Sequence, residues 1–143
     1  MDIAVSLVLG VFGHIFGAYM FYFFHRFIFH GPLGKHPILK QWKALHTRHH
    51  QRPSDPGAFF FPWWVNLAVW TFAISLFFVS PSFSIGMISF FALYAYRHRR
   101  AHTGSTSKAA AHHMSHHNGI KTNFSGTYPF IDILHGTYEK AKS

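Results

Sequence analysis

The chain has no cysteine and only four acidic residues among its 143. Without cysteine it can form no disulfide, no thiolate zinc site and no iron–sulfur cluster. With so few carboxylates it cannot build the carboxylate-bridged di-iron site of helical bundles, which needs Glu-x-x-His pairs. The acidic residues are Asp2, Asp55, Asp132 and Glu139. Any metal site must therefore rely on other ligands.

Charge of either sign is also scarce, at 12% of residues against about 25% in a typical soluble domain. Residues 3–24 carry no charge, and none occurs between Asp55 and Arg97. Both runs exceed the roughly 18 residues typical of a membrane span. The first run lacks a basic start and a small-residue cleavage site, so we expect a span rather than a cleaved signal peptide.

The second apolar run is too long for one upright helix, because about 20 residues cross the hydrocarbon core. Segment 80–84, "SPSFS", contains a proline and predicts a turn between two helices. We therefore expect one all-α integral membrane domain over residues 1–143. It has about three transmembrane helices, at residues 3–24, 60–79 and 83–96, and the third continues into water.

The basic residues are distributed unevenly around these spans. All 13 Lys and Arg lie in segments 25–55 and 97–143, on one side of a three-span chain. The positive-inside rule places that side in the cytoplasm, where it would form a helical cap. The net charge of +9 is then explained by orientation and by anionic head groups, so no nucleic-acid partner is expected.

Histidine is abundant, with 14 residues, and all the clusters fall in the two polar segments. Residues three and four apart share a helix face, which predicts converging imidazoles in "HTRHH", "HRRAH" and "HMSHH". His25 and His30 are five apart, so we expect the helix to end between them, near "HGPLG". The ten predicted metal ligands are His25, His30, His46, His49, His50, His98, His102, His113, His116 and His117.

Ten imidazoles are too many for one ion, since zinc takes four ligands, and two neighbouring ions would use them. Imidazole suits zinc, copper, iron or nickel, and spacing does not choose among these. His112, Asn118 and Asp132 are possible additional ligands or supporting residues. Three isolated histidines are expected to pack or to form hydrogen bonds instead: His14, His36 and His135.

Local signals predict where the polar helices begin and end. A helix should lie between Pro37 and Pro53, with His36 capping its start. A second should run from a Ser107 cap to Gly119. The stretch "YPFIDILHG" predicts one or two further turns between a proline and a glycine.

The four motifs "HRFIFH", "HTRHH", "HRRAH" and "HMSHH" resemble, in order and spacing, those of the fatty acid hydroxylase superfamily, which includes sterol desaturases. That family has a pair with three or four intervening residues, a triplet, a second pair after a membrane hairpin, and a second triplet. The closing stretch "NFSGTYPFIDILHGTY" is also similar, with Asp132 and Gly136-Thr137 at matching positions. The similarity covers about residues 24–138. Members commonly have four spans, whereas this chain allows three.

The resemblance implies a membrane-bound, non-haem di-iron oxidoreductase, with zinc as a possible replacement in purified protein. It would use dioxygen and two electrons to hydroxylate or desaturate an apolar lipid taken from the bilayer. No cytochrome b5 domain is visible, so electrons are expected from a separate donor protein. The aromatic residues 59–61, Trp63 and Trp64 would line the apolar route to the site.

A different class of function remains open, namely a histidine-rich metal carrier or transporter without redox catalysis. Such a protein needs a polar path across the membrane. The predicted spans offer only His14 and a few Ser, Thr and Asn residues for one. Turnover by the metal-loaded protein would separate the two functions.

Overall fold

A computed structural model describes residues 2–59 and 63–140, and this part of the chain is helical with no strand. The predicted all-α class is confirmed. The helices are α1 (Ile3–Phe23, extended by a π-helical turn, Phe24–Phe29), α2 (Lys40–Gln51), α3 (Pro56–Phe59), α4 (Trp63–Ser75, extended by a 3₁₀ turn, Leu76–Phe78), α5 (Pro81–His102), α6 (Lys108–Asn118) and α7 (Pro129–Leu134). A further 3₁₀ turn spans Pro32–Lys35.

Helices α1 and α5 form the central pair of the fold, and glycines set how closely they approach. A Cβ at Gly13 would overlap the carbonyl of Phe83, and a Cβ at Gly86 would overlap the carbonyl of Gly10. Only glycine lets the two backbones come this close, as small residues do at helix interfaces in membranes. Farther along α1, Phe21 packs with Phe90 in the buried core.

Replacing Gly86 by Ala should separate α1 from α5 and destabilise the protein by about 1–3 kcal/mol, the usual cost of overpacking. Gly10→Ala is the matched control on the same interface. Its Cβ would meet Ser82 O at 3.5 Å, an ordinary contact. Thermal unfolding in detergent compares the two variants. Equal stability of Gly86→Ala and Gly10→Ala would contradict the close approach.

One helix in the described ranges is long and apolar enough to cross a membrane, Ile3–Phe29. The helix Trp63–Phe78 is apolar but shorter. Residues 60–62, where the second predicted span begins, lie outside the described part. The three-span count and the cytoplasmic cap therefore stay predictions.

The predicted ends of α6 agree with the structure, whereas the predicted start of α2 does not. The hydroxyl of Ser107 accepts a hydrogen bond from Ala110 N at 3.2 Å and caps α6, which ends at Gly119. Helix α2 begins at Lys40 rather than at Pro37, after a turn in which the His36 carbonyl accepts from Leu39 N and Lys40 N, both at 2.9 Å. The predicted capping by His36 is limited to this turn, where its Nδ1 accepts from Ile38 N at 3.3 Å. Helix α5 extends past the apolar run to His102, and its start is capped by Ser80.

Candidate metal centre

The first histidine pair lies on one continuous helix, so the predicted helix end between His25 and His30 is wrong. The chain instead forms a π-helical turn, in which His30 N donates to His25 O at 3.1 Å. This hydrogen bond joins residues five apart, rather than four apart as in an α-helix. The π turn therefore places both imidazoles on one face, and the Pro32–Lys35 turn begins only after the pair.

Five histidines from three parts of the chain converge in a first group, with one ring nitrogen of each within 4.8 Å of the others. His46 Nε2 lies 3.0 Å from His25 Nε2, 2.8 Å from His30 Nε2 and 3.0 Å from His50 Nε2. His116 Nε2 of α6 lies 3.0 Å from His30 Nε2. The first group consists of His25, His30, His46, His50 and His116.

Four further histidines form a second group by the same distance criterion. His113 Nε2 lies 2.9 Å from His102 Nε2 and 3.2 Å from His117 Nε2. His98 Nε2 is 3.2 Å from His49 Nε2 and adjoins this group. The second group consists of His49, His102, His113 and His117. The ten predicted histidines are thus all brought together.

Each triplet contributes to both groups because of the helical rotation. Consecutive residues of an α-helix are about 100° apart around its axis. His49 and His50 therefore diverge, the first into the second group and the second into the first. His116 and His117 on α6 diverge in the same way. The two groups are in direct contact, since the rings of His50 and His117 stack with centroids 4.3 Å apart.

The nitrogen spacing fits metal ligands better than hydrogen bonds. Three imidazole nitrogens approach His46 Nε2 within 3.0 Å, and one proton cannot serve all three contacts. Two nitrogens bound to a common ion at about 2.1 Å and at a right angle would be about 3.0 Å apart. A cation at the centre of each group would satisfy the converging lone pairs. A donor set of imidazoles suits zinc, copper, iron or nickel.

Burial keeps these imidazoles neutral, the form that binds a metal. Burial, and then the neighbouring imidazoles, lower the pKa of His30 to about 3 and that of His50 to about 4. Burial lowers the pKa of His116 to about 4, although its hydrogen bond to Thr122 and the charge of Asp132 raise it. The pKa of His117 is also lowered by burial and by nearby imidazoles.

Two backbone carbonyls orient histidines of the first group. His25 Nδ1 donates to Phe124 O at 2.5 Å, and His116 Nδ1 donates to Thr122 O at 2.6 Å. With the proton held at Nδ1, the lone pair of each ring is at Nε2, directed into the group. Sequence reasoning missed both carbonyls because a backbone oxygen leaves no side-chain signal.

The segment that contains these carbonyls forms hydrogen bonds with the chain that follows α7. Asn123 has φ 57°, a left-handed conformation that Asn tolerates, and its N–H donates to Thr137 O at 2.8 Å. The Asn123 side chain donates to Glu139 O at 2.8 Å and accepts from Glu139 N at 2.8 Å. The chain after α7 therefore fixes the segment between α6 and α7.

Asp132 is completely buried and joins the same assembly. Its carboxylate accepts from Ser125 N at 3.1 Å and from the Thr137 hydroxyl at 2.8 Å, and it lies 3.2 Å from His112 Nε2. Burial alone would raise the pKa of Asp132, but the hydrogen bonds from His112, Ser125 and Thr137 together hold it below its usual value. Asp132 therefore supports the segment that orients His25 and His116.

The other predicted supporting residues have different positions. His112 directs Nε2 at Asp132 and Ser125 rather than into either group, because it precedes His113 by about 100° of helical rotation. Asn118 is exposed at the end of α6, and within the described ranges no hydrogen bond joins it to the histidines. The structure thus contradicts Asn118 as a supporting residue and His112 as an additional ligand.

The isolated histidines behave as packing or hydrogen-bonding residues. His14 Nδ1 lies 2.7 Å from the Ser89 hydroxyl, and its Nε2 lies 2.6 Å from the Tyr128 hydroxyl. His14 therefore links α1 to α5 and to the segment before α7. His135 stacks on Tyr22 with ring centroids 4.8 Å apart.

A cavity of about 800 Å³ opens beside the histidines, between α1, α2, α4 and α5. Its walls are mainly apolar and include Phe24, Trp42, Phe72 and Phe91. The described lining does not include Trp63 or Trp64, contrary to prediction, and the side chains of residues 59–61 lie outside the described part. The wall also contains Arg48, His46 of the first group, His49 of the second group, and His98, which adjoins the second group.

Comparison with known proteins agrees with this architecture. The model of the fatty acid hydroxylase family matches residues 10–137. Fatty acid 2-hydroxylase of Mus musculus is 30% identical over 132 residues, covering 82% of this chain. The chain spans about a third of that relative, 35% of its length. No solved structure matches the chain significantly.

The family match extends over both histidine pairs, both triplets and the segment around Asp132. It thus includes the first and second groups and the residues that orient them. The predicted resemblance is confirmed. On this match over most of its length, the chain belongs to the fatty acid hydroxylase family.

Proposed function

We propose that this chain is a metal-dependent hydroxylase that acts on the acyl chain of a lipid. The observation that carries the proposal is the position of the apolar cavity, whose wall includes His46, His49 and His98. An acyl chain in this cavity would have one end against both histidine groups. The name of the mouse relative, fatty acid 2-hydroxylase, favours a fatty acid as substrate and carbon 2 as the oxidised position.

The residues of the chain have distinct tasks in this proposal. The first and second groups would each bind one iron ion through neutral imidazoles, with His98 adjoining the second. Iron bound there would supply the oxygen-activating redox chemistry that an unactivated C–H bond requires. Dioxygen and two electrons from an external donor protein are the co-substrates. Zinc fits the same nitrogens but carries no redox chemistry.

The apolar wall would hold the substrate and exclude water from the reacting carbon. Phe24, Trp42 and Phe91 offer aromatic surface to an acyl chain. An acyl chain that moves from the bilayer into this cavity stays in apolar surroundings, so the cavity need not expose it to water. The carbonyls of Thr122 and Phe124 would hold His116 and His25 in the tautomer that binds a metal while the substrate is oxidised.

The proposal includes a multi-pass topology with the histidine groups on the cytoplasmic side. It is supported by α1 as a membrane-spanning candidate and by the placement of all 13 Lys and Arg in two segments. Single cysteines introduced at Ser82 and Ser115 are expected to be labelled from opposite sides of the membrane. Labelling of both from the same side would refute this topology.

Iron-loaded protein supplied with palmitic acid, dioxygen and a reductant is expected to form 2-hydroxypalmitic acid. Product should disappear without dioxygen and after replacement of iron by zinc. Mass spectrometry of the extracted lipids measures it, with metal content determined on the same sample. Protein that binds two irons yet forms no oxidised lipid would favour the metal-carrier alternative.

A further inference from the structure

Arg48 is the one residue with a permanent charge among the described residues that line the cavity. It lies on α2 directly before His49 and two residues after His46, and all three line the same space. Because a helix rises 1.5 Å per residue, the Cα atoms of His49 and His46 are only about 1.5 Å and 3 Å from that of Arg48 along the axis. Arg48 therefore belongs to the same α2 part of the cavity wall as the two histidines.

No carboxylate of the chain neutralises this charge in the described ranges. The carboxylate of Asp132 lies 3.2 Å from His112 Nε2, and no salt bridge of Arg48 with an acidic residue is found in the described ranges. Arg48 is also exposed, so its side chain is accessible to water as well as to the cavity that it lines. A planar guanidinium at such a position matches a carboxylate, which it can bind through two parallel hydrogen bonds.

We propose that Arg48 binds the carboxylate of a fatty acid whose chain occupies the cavity, and so determines which carbon is oxidised. The inference rests on the proposed function, and it names the residue that determines where on the acyl chain oxidation occurs. A carboxylate held by Arg48 leaves the first carbons of the chain beside His46 and His49. The apolar remainder would lie against the apolar wall, which includes Phe72 and Phe91. Oxidation near the carboxyl end follows from this arrangement.

Arg48 could bind any anion that is joined to an acyl chain. A fatty acid carboxylate and a phospholipid phosphate are the two such groups. The described lining offers one guanidinium and no second fixed cation, which matches a monovalent carboxylate better than a phosphate monoester. We therefore assign the site to a free fatty acid and use a phosphate lipid as a separate arm of the test.

The test measures equilibrium binding by the full-length protein in phosphatidylcholine nanodiscs at pH 8, with palmitic acid and hexadecanol as probes. Both probes fill the cavity, but only palmitic acid carries an anion. Wild type is expected to bind palmitic acid about tenfold more tightly than hexadecanol, as one charge-assisted hydrogen-bonded pair predicts. Arg48→Gln should bind the two probes equally, and Arg48→Lys should keep part of the preference.

Arg52→Gln is the matched control, since Arg52 lies one helical turn after Arg48 but is absent from the described cavity lining. It should keep the full preference for palmitic acid. An unchanged preference in Arg48→Gln would overturn the proposal. An equal loss of affinity for palmitic acid and hexadecanol would also overturn it, because that would indicate a structural role for Arg48. Arg48-dependent binding of dipalmitoyl phosphatidic acid, without the same effect on palmitic acid, would assign the site to a lipid phosphate instead.

Binding is measured without turnover, so failure of the proposed function is a separate result. If the protein prefers palmitic acid through Arg48 but oxidises no lipid, the hydroxylase proposal is refuted and the proposed carboxylate site is supported. If the protein does oxidise palmitic acid, Arg48→Gln should spread the products over positions beyond carbon 2. Unchanged product positions in Arg48→Gln would overturn the assignment of Arg48.

Discussion

His49→Ala and His116→Ala are each expected to lower lipid hydroxylation by about a hundredfold or more. Removing a residue that only orients a metal ligand typically costs 10–100-fold, and loss of a ligand should cost at least as much. His49 belongs to the second group and His116 to the first, so the pair tests both groups. Each variant should keep part of its metal, because the other imidazoles of its group remain.

The measurement is product formed per bound iron, which separates lost metal from lost activity. His36→Ala is the control, because His36 is exposed and only caps the turn before α2. It should retain wild-type activity. An inactive His36→Ala together with a fully active His116→Ala would show that convergence of nitrogens does not identify the ligands.

Asp132→Ala is expected to destabilise the protein by about 3 kcal/mol or more, because each buried group that loses its hydrogen-bond partner costs about 1–3 kcal/mol. It would leave Ser125 N, the Thr137 hydroxyl and His112 without their common acceptor. The adjoining segment, which presents Thr122 O and Phe124 O, should then move. Iron content should fall as His116 and His25 lose their fixed orientation.

Asp55→Ala is the matched control, since Asp55 lies near the surface and its side chain accepts from Gly57 N at 2.8 Å. Loss of such a cap costs about 1 kcal/mol. Denaturant unfolding in detergent and iron analysis are made on both variants. Equal stability and iron content in Asp132→Ala and Asp55→Ala would show that the buried carboxylate does not support the site.

The helical part of the site could be predicted from sequence because α-helices obey a simple period. The spacing of His46, His49 and His50 fixes which way each imidazole leaves α2, and the same holds for the triplet on α6. The helix caps at Ser107 and Gly119 were equally predictable from local residue types. These features depend only on neighbours within one turn.

Other features could not be predicted, because they depend on contacts between distant parts of the chain. His112 and His113 are adjacent and chemically identical, yet only His113 reaches the second group while His112 meets Asp132. The carbonyls of Thr122 and Phe124 have no residue-specific signature. The position of Arg48 beside an apolar cavity requires α2 to be docked against α4 and α5.

The π turn in HRFIFH also bears on how the sequence can change over generations. In an α-helix, side chains four residues apart share a face, whereas this turn makes side chains five apart do so. Loss of one residue between His25 and His30, with reversion to a regular helix, would leave both imidazoles aligned. A single insertion or deletion could therefore change the number of residues between the two histidines from three to four or back. No compensating change at another histidine would be needed.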